Sequence, residues 1–107
     1  MKTFQLLENI EFHDKNPYAQ PLQVDEDGRI LRFALKPGQT VQEHTAPHSP
    51  VYLVVLKGNG IFAGADGTGL KFGPNTLLTF KPGEPHKIQA LDEELVFMVI
   101  LHEAPKA

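Results

Sequence analysis

The chain has no cysteine among its 107 residues. That absence excludes a disulfide framework, a thiolate zinc site, an iron–sulfur cluster and a cysteine nucleophile. Ser49 is the only serine, and it sits in no nucleophile-elbow pattern, so no Ser-His-Asp arrangement is readable. Long apolar runs are also missing. The longest, Leu95 to Leu101, is far short of the roughly twenty residues that a helix needs to span a bilayer. No apolar segment follows Met1-Lys2-Thr3-Phe4-Gln5, so no secretory signal is read. The net charge is −3 and the lysines and arginines are scattered. No basic stripe can neutralise a row of phosphates. Gly58-x-Gly60 lacks the further residues of a phosphate loop and precedes a strand. These absences predict a cytoplasmic protein of one domain that engages neither nucleic acid nor membrane.

Glycine and proline are plentiful, with nine of each. Residues 37–85 hold eight of the glycines and six of the prolines, which leaves no room for a long helix. Between the breaks lie short β-rich runs: Arg29–Lys36, Val51–Leu56, Ile61–Ala63, Leu70–Phe72, Thr76–Phe80, His86–Ala90 and Leu95–Leu101. Such spacing predicts an all-β sandwich or barrel. Leu56 to Ile61 reads as a tight hairpin turn, and Ala65 to Gly69 as a second one. Residues 1–28 read as a polar arm or edge strand broken by Pro17 and Pro21, residues 29–103 as the barrel and 104–107 as a frayed tail. Side chains alternate across a strand, so Leu31, Phe33 and Leu35 share one face with Arg32 on the other. By the same parity His86 shares its face with Ile88 and Ala90. Val51–Leu56 and Leu95–Leu101 are apolar on both faces, which predicts a homodimer.

The tripeptide Lys-Pro-Gly occurs twice, at 36–38 and 81–83, as turn chemistry. Each copy leads to a histidine, His44 and His86. With these residues the sequence resembles the cupin superfamily. Gly38, five residues, His44, and then Gly58 match the frame of its first motif. Lys81-Pro82-Gly83-Glu84-Pro85-His86 matches its second, with lysine in place of the first proline. His44-Thr45-Ala46-Pro47 is closest to small stand-alone bacterial cupins with an H-T-x-P first motif. The resemblance covers residues 30–101 and implies a single-domain double-stranded β-helix, a jelly-roll-like barrel.

The resemblance also implies a divalent metal at the barrel centre, with His44 as its first histidine and His86 as its last. Ala46 and Val51 stand at the usual second-histidine and glutamate positions, so two usual ligands are absent. His48 would join the set only if the chain bends, because four residues of straight strand separate two groups by roughly 13 Å. Imidazole ligands with open positions suit Zn, Mn, Fe, Ni or Cu. Gln42 is a further weak ligand and Tyr52 offers a phenol. The pocket is expected to include Gln42, Tyr52, Phe33, Phe80, Ile88 and Phe97, within an interior also lined by Leu35, Leu53, Phe62 and Val99. His13, His102 and the scattered acids, Glu84 among them, read as solvent-facing. Two functions follow as expectations: a metal-binding cupin that takes a small organic ligand, with oxygenase, isomerase or lyase chemistry by family analogy, or a metal-free cupin acting as a binding or sensor module.

Overall fold

Nine strands fold into two facing antiparallel sheets in a computed structural model that describes residues 1–102, apart from the side chains of Glu43 and His44. The proposed tail, residues 104–107, lies outside the described residues. The strands are β1 (Tyr18–Asp25), β2 (Gly28–Leu35), β3 (Thr40–His44), β4 (Val51–Lys57), β5 (Gly60–Ala63), β6 (Leu70–Phe72), β7 (Leu77–Phe80), β8 (His86–Ala90) and β9 (Leu95–Leu101). One sheet has the order β1-β2-β9-β4-β7 and the other β3-β8-β5-β6. Among the described residues no helix is long and apolar enough to cross a membrane.

The alternation of side chains builds the interior. In the large sheet, Arg29 on β2, Leu101 on β9 and Val51 on β4 stand in one cross-strand row. Leu31, Val99 and Leu53 form the next row, and Phe33, Phe97 and Val55 the third. The small sheet answers with Phe62 on β5 and with His86, Ile88 and Ala90 on β8, all buried, while Lys87 and Gln89 are exposed. Phe97 stacks on Phe33 at 4.9 Å between ring centres and meets Phe62 edge-on at 6.2 Å, so its ring joins the two sheets.

Three local expectations are corrected. Pro21 does not break the arm: β1 runs through it, with the register shifting between Pro21 and Gln23. An edge strand with a bulge tolerates a residue that lacks an N–H. Thr40–His44, unassigned in the sequence reading, is a strand paired with β8. The Gly58-Asn59 turn is not a hairpin, because β4 pairs with β7 and β9 while β5 pairs with β6 and β8. It carries the chain from one sheet to the other. Gly58 has φ +79°, and a Cβ there would lie 2.0 Å from the Glu94 carbonyl oxygen, so no other residue fits without moving the backbone. The turn between β5 and β6 is a true hairpin, since those strands pair.

The N-terminal arm is tied down by a buried cation. Arg32 is 5% exposed. Its Nη1 donates to the carbonyls of Gln5 (3.5 Å), Leu6 (3.1 Å) and Glu8 (3.2 Å). Its Nη2 donates to the Asn9 carbonyl (3.3 Å) and to Gln20 Oε1 (2.6 Å). The outward face of β2 is therefore roofed by the arm.

Candidate functional site

Each Lys-Pro-Gly copy makes the same turn. Gln39 N–H donates to the Lys36 carbonyl at 3.0 Å, and Glu84 N–H to that of Lys81 at 2.9 Å. Gly38 and Gly83 take φ of +80° and +79°, the left-handed position of a type II turn after proline. The side chain of the fourth residue closes each turn: Gln39 Oε1 accepts from Lys36 N–H at 2.8 Å, and Glu84 Oε1 from Lys81 N–H at 2.9 Å. Glu84 Oε2 also accepts from Ala65 N–H at 3.1 Å. Its carboxylate is thus a structural brace as well as a surface charge. The Lys81 amide first, then that of Ala65, hold its carboxyl below the ordinary glutamate value.

This turn delivers His86 to the interior. Gly83 N–H donates to the Ala46 carbonyl at 2.9 Å, which fixes the start of β8 against the segment after β3. The His86 imidazole is 4% exposed. Its ring centre lies 5.0 Å from that of Phe80, and Nδ1 is 3.3 Å from the Glu84 carbonyl oxygen. In the tautomer that donates from Nδ1, Nε2 is the basic nitrogen.

His86 borders a cavity of about 280 Å³ between the sheets, close to the lower end of the roughly 300–1,000 Å³ range of small-molecule sites. Leu31, Phe33, Phe97 and Val99 form its wall on the large sheet, Val41 and Ile88 on the small one. Thr45, Ala46 and Pro47 form a rim. Ser49 fixes that rim: it is fully buried, donates to the Pro50 carbonyl at 2.7 Å and accepts from His102 N–H at 2.9 Å. Ser49→Ala is expected to cost about 1–3 kcal/mol by leaving buried polar groups unpaired, read as a lower denaturant midpoint.

The structure gathers Phe33, His86, Ile88 and Phe97 around this cavity. Phe80 is buried beside His86. Gln42 is exposed on β3, and His48 is exposed in the turn after Pro47. Tyr52 lies between two cavity-lining residues of β4, so its side chain takes the opposite face, where it meets the His102 ring edge-on at 5.5 Å. His44 pairs by its backbone with His86 across β3 and β8. Its side chain lies outside the described residues. Arg29, at the start of β2, also lines the cavity. The alternation that aims Leu31 and Phe33 inward extends to position 29, and that signal was available.

The model of the Cupin domain matches residues 31–101. The chain belongs to the cupin family. Several solved structures share its fold, one of them described as having a double-stranded β-helix domain. A conserved protein with such a domain from Klebsiella pneumoniae superposes with a TM-score of 0.90 at 18% identity, covering 100% of this chain and 94% of that one. An RmlC-like cupin from Desulfovibrio desulfuricans gives 0.85 at 26% identity, covering 96% and 98%. A Thermus thermophilus protein gives 0.90 at 18% identity, covering 98% and 100%. No match is found among curated proteins.

Many cupins hold a metal, and the donor set of this cavity tests that possibility. Ala46 and Val51, at two usual ligand positions, both line the cavity and offer no donor. The described cavity residues that bear nitrogen or oxygen on their side chains are Arg29, Thr45 and His86, of which only His86 is a good ligand for a divalent ion. Among the described residues no group of three histidines or carboxylates is placed to hold a metal. Among the described side chains the cavity thus supplies one good metal ligand, His86.

Proposed function

We propose that this cupin binds a small organic molecule in the cavity between its sheets and that it does so without a resident metal. The observation that carries the reading is the cavity wall itself. It is mainly leucine, valine, isoleucine and phenylalanine, with Arg29 and His86 at its border and with alanine and valine where metal-binding cupins place histidine and glutamate. Such a wall contributes affinity through apolar burial, and the few polar groups at its border set orientation. Elemental analysis of untagged protein is the direct test. Far less than one metal ion per chain is expected, together with ligand-induced thermal stabilisation that survives a chelator.

The backbone pairing of His44 with His86 supports a second reading, in which Zn, Mn, Fe, Ni or Cu is held by these two histidines. Stoichiometric metal that is lost in both His44→Ala and His86→Ala would establish that reading in place of the first. A homodimer belongs to either reading. Val54, Leu56, Met98 and Ile100 are half-buried on the side of β4 and β9 away from the cavity, an apolar face suited to a second copy.

A further inference from the structure

We propose that the cavity is a carboxylate site and that Arg29 is its anchor, so the ligand is a small organic acid with an apolar body. The inference rests on the small-molecule reading above and names the class of ligand.

Three observations carry it. First, Arg29 Nε is buried and has no hydrogen-bond partner. It is the one described side-chain nitrogen or oxygen in that condition. Buried polar groups are almost always paired, and an unpaired donor on a cation is costlier than a neutral one. Nε is closed to solvent, so a ligand acceptor in the cavity reaches it as the Arg29 side chain turns toward that space. Second, no described residue lining the cavity is an aspartate or glutamate. The nearby turn offers no substitute: no ion pair joins Arg29 to a described carboxylate, and Asp25 accepts from Asp27 N–H at 2.8 Å and from Gln23 Nε2 at 3.1 Å. Asp25 and Asp27 line the neighbouring surface pocket that Arg29 also borders, and neither is ion-paired with it. A guanidinium edge pairs with a carboxylate through two parallel hydrogen bonds. Third, Arg29 stands in the row of Leu101 and Val51, and the next rows are Leu31 with Val99 and Phe33 with Phe97. A molecule that places its carboxylate on Arg29 therefore lays the rest of its body along leucine, valine and phenylalanine. That geometry favours a branched aliphatic or aromatic acid over a sugar.

The test is calorimetric titration of chelator-treated protein with benzoate and 3-methylbutanoate, each beside its primary amide. The acids are expected to bind at least about tenfold more tightly than the amides, the size of one charge-assisted hydrogen bond. Arg29→Gln is expected to erase that preference, weakening the acids by far more than the amides. No described residue is paired with Arg29 Nε, so this variant is expected to fold, with its circular dichroism unchanged. Arg29→Lys keeps the charge without the two-pronged edge and is expected to retain only part of the preference. Acid and amide binding alike to the parent, or acids binding Arg29→Gln as tightly as the parent, would overturn the carboxylate assignment and leave the small-molecule reading standing. Binding by none of the four compounds at millimolar concentration would overturn both.

Discussion

Phe97→Ala is expected to lower unfolding free energy by about 3–5 kcal/mol, the range for truncating a buried aromatic ring. For a domain of this size that corresponds to a melting temperature lower by about 12 °C or more. Three features place the loss at the upper end. Phe97 is 0% exposed. Its ring contacts Phe33 on its own sheet and Phe62 on the other, so truncation removes packing between sheets as well as within one. β9 is hydrogen-bonded on both sides, to β2 and to β4, so the backbone cannot close over the gap. The void would merge with the existing cavity, because Phe97 already forms part of its wall. Denaturant unfolding measures the effect. A loss below about 2 kcal/mol would mean that the neighbouring side chains relax into the space.

Arg32→Leu is expected to release the N-terminal arm and to cost about 2–4 kcal/mol, since hydrogen bonds to a charged donor are worth about 1.5–3 kcal/mol each and several are lost together. Four backbone carbonyls of the arm converge on this one guanidinium. Leucine fills part of the volume but offers none of the donors, so those carbonyls must turn to water. Limited proteolysis reads the outcome: cleavage within residues 1–12 should accelerate sharply while the barrel resists. Arg32→Lys supplies charge without the planar array of donors and is expected to recover only part of the protection. An arm that stays protected in Arg32→Leu would show that Leu6, Ile10 and Phe12, all half-buried, hold it by apolar contact alone.

The two arginines of β2 show what could be read from the chain and what could not. Alternation places Arg29 and Arg32 on opposite faces, and that is how the structure has them. Parity does not say what covers either face. Parity puts Arg32 opposite Leu31 and Phe33, and only the fold brings the arm, more than twenty positions earlier, over it. Arg29 reads as the polar start of a strand until the opposite sheet closes a cavity around its row. β3 was missed for a related reason. Thr40–His44 carries only one strongly apolar residue, Val41, and becomes a strand because β8 offers it a partner edge. β1 was misread at Pro21 because tolerance of proline depends on lying at a sheet edge, a fact about neighbours.

The cysteine-free chain determined a good deal by itself. Local chemistry is short-ranged: proline and glycine dictated both Lys-Pro-Gly turns, and two-residue periodicity set the inward faces of β2 and β8. The paired motifs around His44 and His86 named the family. Only the tertiary structure decided which strands share a sheet, that the Gly58 turn passes between sheets, and that Arg29 Nε lacks a partner among the described residues while Arg32 has five. Those outcomes depend on contacts between segments far apart in sequence. The character of the site follows from them: among the described residues, a largely apolar cavity bordered by the His86 imidazole and by Arg29.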